Sequence, residues 1–377
     1  MAFKLLCWAA GTLKLNMEAL IISVVASKMQ LHQMQLPREV VVGNETLSLL
    51  SEICKKLGFC ESTLVVTGPD TKNIAGRMVM DMLSDSGLDV SSFVVNNNTL
   101  CEVTAVEERI KELKPNVVLG VGGGTKIDVA KLSSTRQNLP FISVPTTASH
   151  DGIASPVAAV KGLSKPYSVM AQSPMAIVAD TDIIIRSDYR FTASGCGDIV
   201  SKFTSVRDWE LAHNVKNEYY GEYAASLALM SSRLITKNAD IIQPGSEEGL
   251  RLILEALISC GVAMSIAGSS KPCSGSEHLF SHALDMIEPN GSLHGEQCGV
   301  GTIMMAYLYD IDWKGIKETL RKTGAPTTAE ELGVEPESII KALVQACTIR
   351  PERYTILDTK KLDYTSAKKL ATVTGVI

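Results

Sequence analysis

Short apolar runs alternate with longer amphipathic segments over residues 37–187. Four of the runs are rich in β-branched residues and bounded by Gly, Pro or Asn, as is typical of buried strands. They are residues 62–68, 91–95, 116–121 and 140–145. Helix-length segments such as 73–85 and 106–113 lie between them. This alternation predicts an α/β domain with a parallel sheet covered on both faces.

The pattern changes after residue 188 to long helical segments. Residues 247–265 and 218–240 carry apolar side chains at helical spacing, and in the first of these Leu250, Ile253 and Leu257 form one stripe. We therefore predict a Rossmann-like domain over residues 34–187 and a mostly α-helical domain over residues 188–377, with the active site in the cleft between them. A β-hairpin is predicted over residues 156–170.

Residues 1–33 are predicted to be an extension to this fold. Their apolar stretches are shorter than the roughly 20 residues of a membrane span and lack a convincing signal-peptide cleavage site. A translation start assigned too early, with the true start near Met29 or Met34, is an equally good interpretation.

Composition narrows the class of protein. Hydrophobic residues make up 45% of the 377 residues and charged residues 20%, with a net charge of −5, which favours a globular cytoplasmic protein and gives no basic footprint for nucleic acid. The nine cysteines are scattered singly without a C-x-x-C pair. Their spacing argues against a disulfide framework and a structural zinc ribbon.

The third predicted strand runs into a glycine-rich loop, Gly120-Val121-Gly122-Gly123-Gly124-Thr125-Lys126-Ile127-Asp128, followed by a helical stretch. Glycine lets a backbone approach a ligand closely, and the N–H groups of a helix start attract phosphate. The loop therefore indicates pyrophosphate binding, the alternative being a tight turn without a ligand. Its spacing is neither that of a P-loop nor G-x-G-x-x-G.

The next strand ends in a hydroxyl-rich loop, Pro145-Thr146-Thr147-Ala148-Ser149-His150-Asp151-Gly152. Ligands of open α/β sheets lie across the carboxyl ends of the strands. The two loops could therefore share one nucleotide, although a hydroxyl-rich loop is often only a turn.

Three of the six histidines lie within residues 275–297. His278 and His282 are one helical turn apart, and a Pro-Asn-Gly turn can return His294 to the same helix. Asp198, in Ser194-Gly195-Cys196-Gly197-Asp198, is a possible carboxylate partner. Two histidines and one carboxylate would leave positions open on a catalytic metal. Packing of the histidines and a helix N-cap role for Asp198 are the simpler alternatives.

The motifs GVGGGTKIDVAK, PTTASHDGIASP, GCGDIVSKFT, GSEHLFSHALD and HGEQCGVGT stand in this order in the chain. Together with the closing IRPERYTIL they resemble the sn-glycerol-1-phosphate dehydrogenase family of archaea, which belongs to the superfamily of iron-containing alcohol dehydrogenases, glycerol dehydrogenases and dehydroquinate synthases. The resemblance covers residue 34 to the end.

The resemblance implies roles for individual residues. Asp198, His278 and His294 would bind a metal, usually Zn²⁺, with Fe²⁺ or another divalent ion as an alternative. Asp151, Asp198 and His282 would contact the substrate and carry the catalytic roles. The cofactor, NAD or NADP, would contact Gly122, Gly123, Gly124, Thr125, Lys126, Ile127, Asp128, Thr146, Thr147, Ala148, Ser149 and Ser155.

The implied reaction is the reversible reduction of dihydroxyacetone phosphate to sn-glycerol 1-phosphate, a precursor of archaeal membrane phospholipids, by a homo-oligomer. No acidic residue directly follows the strand at 62–67, so use of both NAD and NADP is expected, although Asp70 lies close by. A glycerol dehydrogenase and a dehydroquinate-synthase-like lyase are the alternatives. The sequence does not identify the residues that would bind the substrate phosphate, and cations such as Lys161, Lys165 and Lys202 are all candidates.

Overall fold

The computed structural model of the protein describes residues 32–161, 167–289 and 291–377. The strands are β1 Glu39–Gly43, β2 Ser62–Thr67, β3 Asp89–Val94, β4 Val117–Gly122, β5 Phe141–Pro145, β6 Val157–Val160, β7 Tyr167–Met170 and β8 Ala176–Asp180. Six of these described strands form one parallel sheet in the order β1-β8-β5-β4-β2-β3. β6 and β7 pair antiparallel as the predicted hairpin, whose turn lies outside the described residues.

The sheet confirms the predicted α/β class. The four runs read from the sequence are β2, β3, β4 and β5, to within two residues at each end. β1 and β8 were not singled out, because β1 is a half-exposed edge strand and β8 is a short Ala-containing run. β4 and β5 are buried along their whole length, which accounts for their unbroken apolar sequences.

Helices cover the sheet and make up the rest of the fold. They are α1 Leu50–Lys56, α2 Pro69–Thr71, α3 Arg77–Asp85, α4 Leu100–Leu113, α5 Gly124–Arg136, α6 Thr181–Ile184, α7 Tyr189–Val200, α8 Lys202–Lys216, α9 Glu222–Lys237, α10 Glu247–Ala267, α11 Ser276–Ile287, α12 His294–Leu308, α13 Trp313–Lys322, α14 Ala329–Leu332, α15 Pro336–Ile349, α16 Ile356–Lys360 and α17 Tyr364–Val373. Beyond β8 the described residues form no further strand, which confirms a mostly helical second half.

The predicted division at residue 188 stays a prediction, because Met34–Ile377 packs as one compact unit. α10 lies inside that unit. Among the described helices it is the one with the length and apolar composition of a membrane span, but 67% of the apolar window is buried within the protein. Such burial is typical of a core helix, and α10 accordingly supplies Leu250, Ile253 and Leu257 to the core.

α7 and α12 cross at glycines, with almost no space between their backbones. A Cβ atom placed on Gly197 would lie 2.2 Å from the carbonyl oxygen of Gly295, and one on Gly295 would lie 2.0 Å from that of Ser194. Side chains at these two positions are therefore incompatible with the crossing. The close approach brings Asp198, next to Gly197, near enough to His294, the first residue of α12, for an electrostatic interaction.

Replacement of Gly197 by alanine is expected to lower the free energy of unfolding by about 1–3 kcal/mol, because the added methyl group must push α7 away from α12. Urea titration followed by circular dichroism measures this change. Gly291→Ala is the matched control, since its Cβ would meet no atom closer than 3.5 Å. Equal stability of the two variants would contradict the prediction.

Candidate active site

A cavity of about 950 Å³ opens at the carboxyl ends of the central strands. One wall comes from the loops that follow β4 and β5, including Gly124 and Thr146. The opposite wall comes from helices of the second half and carries His278, His282 and His294. Most of the residues that the sequence singled out in separate segments therefore share one cavity, although Asp198 is not among the residues that line it.

The glycine loop and the hydroxyl loop form the first wall. Gly123 is the N-cap of α5, so the start of that helix faces the cavity. The predicted cofactor residues that line it are Gly123, Gly124, Thr125, Lys126, Asp128, Thr146, Thr147, Ser149 and Ser155. Ile127 and Ala148 belong to the core and Gly122 ends β4, so these three could offer a ligand only their backbone.

A buried lysine, which the sequence did not point to, ties this wall together. Lys131 on α5 donates hydrogen bonds to Asp128 Oδ1 at 3.2 Å and to the carbonyls of Gly152 at 2.8 Å and Val157 at 2.7 Å. The other oxygen of Asp128 accepts from the N–H of Ala159 at 3.0 Å. The glycine-loop helix, the turn after the hydroxyl loop and the hairpin are thereby joined by one ion pair.

Asp198 lies inside α7, near its end, so the N-cap alternative is wrong. Its Oδ1 accepts a hydrogen bond from Lys202 Nζ at 2.6 Å, and its Oδ2 accepts from the N–H of Asp151 at 2.8 Å. Lys202 also lies 3.0 Å from Asp151 Oδ2. One buried cation thus joins both predicted carboxylates, and Lys202 is committed to them.

Electrostatics keep the Asp198 carboxylate charged. Burial alone would raise its pKa, but the positive charge of Lys202, together with His278 and His294, brings the pKa below its usual range. The pKa of Asp151 is raised by burial and by the negative charge of Asp198. Asp198 is therefore an ionised oxygen donor beside His278, although it is not itself among the residues that line the cavity.

The ring of His278 is held by a neighbouring carboxylate. Its Nδ1 lies 2.9 Å from Oε1 of the buried Glu277, whose carboxylate also accepts from Thr204 Oγ1 at 2.7 Å. A carboxylate accepts and does not donate, so the proton is on Nδ1 and the lone pair is on Nε2. Nε2 faces Asp198 Oδ1 at 3.7 Å. Metal-binding histidines commonly have this support.

His294 is fixed in the same tautomer by a different network. Ser281 donates its hydroxyl proton to Gln297 Oε1 at 2.6 Å, so its oxygen accepts from His294 Nδ1 at 3.1 Å. The lone pair of His294 is again on Nε2. The ring centroids of His278 and His294 are 4.9 Å apart, as the predicted return of the chain requires. Sequence reasoning missed Glu277 and Ser281, although both lie within three residues of His278.

His282 has a different environment from the other two histidines. Its ring stacks on His294 with the centroids 5.9 Å apart, and its buried Nδ1 has no hydrogen-bond partner among the described residues. Burial, together with the charges of His294 and Arg350, lowers its pKa well below the usual value. A neutral imidazole with an unpaired buried nitrogen is suited to a polar ligand in the cavity.

Two sets of donors could hold a metal ion here. Donor atoms of His278, His294 and Cys298 lie within 4.8 Å of one another, while Asp198 lies beside His278. Burial raises the pKa of the Cys298 thiol well above its usual value, whereas the Asp198 carboxylate is already ionised. We therefore favour Asp198, His278 and His294, which fit a divalent ion with open positions.

Metal content distinguishes these sets. Asp198→Asn and His294→Ala are expected to lower bound Zn²⁺ well below one ion per chain after dialysis, because each removes a donor atom. Cys298→Ala is expected to retain it. Elemental analysis of dialysed protein measures the content, with circular dichroism as the control for folding. Loss of metal from Cys298→Ala with retention in Asp198→Asn would favour the thiolate set.

Comparison with known proteins places the chain in a family. The family model described as iron-containing alcohol dehydrogenase matches residues 41–187. Among solved structures, glycerol dehydrogenase from Schizosaccharomyces pombe has a TM-score of 0.76 at 23% identity and covers 91% of this chain and 90% of its own. Alcohol dehydrogenase from Oenococcus oeni has a TM-score of 0.72 at 16% identity, covering 91% and 100%. These likenesses establish the fold.

Curated relatives are much closer in sequence. Glycerol-1-phosphate dehydrogenase [NAD(P)+] of Pyrococcus furiosus is 53% identical over 347 residues, which is 92% of this chain and 100% of the relative. The protein of the same name from Methanosarcina mazei is 52% identical over 344 residues, covering 91% and 96%. Identity at this level over nearly the whole chain confirms the resemblance carried by the motifs: the chain belongs to the glycerol-1-phosphate dehydrogenase family.

Proposed function

We propose that the protein catalyses the reversible reduction of dihydroxyacetone phosphate by NADH or NADPH to sn-glycerol 1-phosphate, the backbone of archaeal membrane phospholipids. The main support is one cavity that holds the glycine loop together with His278 and His294, with Asp198 beside His278. Curated relatives at about half identity carry the matching activity in their names. The glycerol dehydrogenase alternative rests on structural likeness at 23% identity, which shows the fold alone.

Asp198, His278 and His294 would hold one Zn²⁺, which when bound would polarise the C2 carbonyl as a Lewis acid. Glu277 and Ser281 keep the Nε2 lone pairs of the two histidines directed away from their supporting networks. Lys202 balances the charges of Asp151 and Asp198, so the buried carboxylates are compensated.

His282 is the residue that we assign to the substrate oxygens. Its Nδ1 is buried and unpaired, and its ring is neutral, so it can exchange a hydrogen bond or a proton with a hydroxyl group at that atom. Asp151 is held by Lys202 at the edge of the same cavity and would position the substrate. The loops around Gly123 and Thr146 would hold the nucleotide and orient it against the carbonyl.

The activity is tested by coenzyme consumption with zinc-loaded protein. We expect strong preference for dihydroxyacetone phosphate over unphosphorylated dihydroxyacetone, sn-glycerol 1-phosphate as the product and loss of turnover after metal removal. Chiral analysis of the product identifies the enantiomer. Preference for the free triose would identify a glycerol dehydrogenase, while no net consumption of NADH or NADPH would favour the lyase.

Coenzyme choice is governed by the end of β2. Thr67 is followed by Gly68, against which the stem of Lys126 packs, and Lys126 Nζ donates to the Asn96 carbonyl at 3.2 Å. Asp70 lines the cavity nearby. A cation and a carboxylate at the same place are compatible with both coenzymes, since one attracts a 2′-phosphate and the other accepts from a ribose hydroxyl.

We therefore expect kcat/KM for NADH and NADPH to differ by less than about a hundredfold, and Asp70→Asn to shift the ratio toward NADPH by about tenfold. Steady-state kinetics with each coenzyme at saturating substrate measures the ratio. Asp81→Asn, on the neighbouring α3, is the control for a change of surface charge. A preference for NADH beyond about a hundredfold would contradict dual use.

We also propose that the enzyme is a cytoplasmic homo-oligomer, as the family resemblance implies. Its substrate and coenzymes are soluble metabolites, and its apolar helix α10 is a core element. Light scattering of the purified protein gives the number of subunits.

A further inference from the structure

A serine-containing loop closes one end of the cavity. It joins α10, which ends at Ala267, to α11, which begins at Ser276. Ser270 and Ser274 of this loop line the same cavity as His282. The proposed reaction uses the metal cluster, His282 and the nucleotide loops, and gives these two serines no role.

Both serine hydroxyls are fixed by one arginine from the distant C-terminal segment. Arg353 Nη1 donates to Ser274 Oγ at 2.9 Å, and Nη2 donates to Ser270 Oγ at 2.8 Å. The same Nη1 also donates to the Ser274 carbonyl. Because a guanidinium only donates, the serine oxygens are the acceptors and their hydroxyl protons are available to an acceptor in the cavity. The charged donor also polarises both hydroxyl groups.

A second arginine lies at the same end. Arg350 Nη2 donates to the carbonyl of Ser168 at 3.4 Å, and Ser168 also lines the cavity. The pKa of Arg353 itself, lowered by burial and Arg350 to about 10, leaves the guanidinium charged at neutral pH.

The loop is also close to the metal cluster. The carbonyl of Cys273, next to Ser274, accepts a hydrogen bond from Lys202 Nζ at 3.2 Å. The same amine donates to Asp198 Oδ1 at 2.6 Å. Ser274 is therefore separated from the cluster by one lysine and one peptide unit. The distance is therefore short. A molecule whose carbonyl lies at the cluster needs a chain of only a few atoms to reach the serine hydroxyls.

The lysines first considered for the substrate phosphate are less well placed. Lys202 is neutralised by Asp151 and Asp198. Lys165 lies outside the described residues. Lys161 lines the cavity but is exposed, next to Thr99 at the start of α4. A cation held behind half-buried hydroxyl donors is a more selective anion site than an exposed ammonium group.

We propose that Ser270 and Ser274, held and polarised by Arg353 and supported by the charge of Arg350, form the subsite for the phosphate group of the substrate. This inference rests on the proposed function, which makes the substrate a three-carbon phosphate ester. It also gives a role to the closing motif IRPERYTIL, which contains both arginines.

The subsite explains discrimination between the phosphate ester and the free triose. A phosphate dianion would accept from the two serine hydroxyls and have two positive charges nearby. An unphosphorylated substrate would leave these half-buried, polarised donors without an acceptor. Sites built to pair with a polar group reject analogues that lack it, because the buried groups are then left unpaired.

The test compares the full-length wild type with a double variant that carries both Ser270→Ala and Ser274→Ala. We expect kcat/KM for dihydroxyacetone phosphate to fall by about a hundredfold, mainly through KM, since two charge-assisted hydrogen bonds are lost. The value for unphosphorylated dihydroxyacetone should change by less than about threefold. Ser269→Ala is the matched control, because that neighbouring serine is not among the residues lining the cavity. Equal loss with both substrates, or no loss, would overturn the subsite.

Arg353→Lys provides a second variant in the same comparison. It retains a positive charge but cannot reach both serines as a planar fork, so it should also raise KM for the phosphate ester more than for the free triose. Thermal unfolding of every variant identifies loss of fold. If Arg353→Lys does not fold, the serine variants decide the result on their own.

A binding measurement separates this inference from the proposed function. Calorimetric titration with inorganic phosphate is performed on the wild type, the double serine variant and Ser269→Ala, each with saturating NAD+ so that the glycine loop is already occupied. We expect at least about tenfold weaker binding in the double variant alone. If the wild type reduces neither triose, the proposed function fails, and this titration still decides the subsite: weakened binding in the double variant supports it, while absent or unchanged binding overturns it.

Discussion

The backbone contact between α7 and α12 is the constraint on which the site depends. Without side chains at Gly197 and Gly295, the two helices approach until carbonyl oxygen and Cα nearly touch. Asp198 is then carried against His294, and the loop of Asp151 is held by a hydrogen bond to Asp198. Because close packing in a protein interior leaves no room for a small adjustment, the positions of these donors are set by the helix crossing and not by the flexibility of the side chains.

Buried charge is the second feature that organises the cavity. Carboxylates and amines removed from water are tolerated only when they are paired and hydrogen-bonded. Lys202 meets this requirement for Asp151 and Asp198, and Lys131 is matched by Asp128. Glu277 instead relies on hydrogen-bond donors, including Thr204 and the His278 ring. Charges that are costly for stability are thus concentrated where ligands are proposed to bind.

Much of the fold could be predicted because its signals are local. The strands β2 to β5 and the long helices are encoded by residue types a few positions apart. The sequence motifs were sufficient to identify the family, which the curated relatives confirm. The supporting residues could not be predicted in this way. Glu277 is held by Thr204, which is 73 positions away, and Ser274 by Arg353, which is 79 positions away. Such pairs exist only after the chain has packed.

The N-cap interpretation of Asp198 shows the same limit of local reasoning. A carboxylate after small residues is typical of a helix start, but α7 begins earlier, at Tyr189, with Asp188 as its cap. Gly197 is present for the contact with α12 and Gly195 for a close approach to the carbonyl of Ala148, neither of which the sequence alone reveals. Small residues inside a helix can therefore mark a tertiary contact as readily as a terminus.

The ion pair of Lys131 has a mechanical consequence. Since one buried amine holds α5, the turn at Gly152 and the start of the hairpin, these three segments are cross-linked without a covalent bond. Displacement of α5 relative to the hairpin would have to break these hydrogen bonds of Lys131, so this wall of the cavity is expected to move as one body.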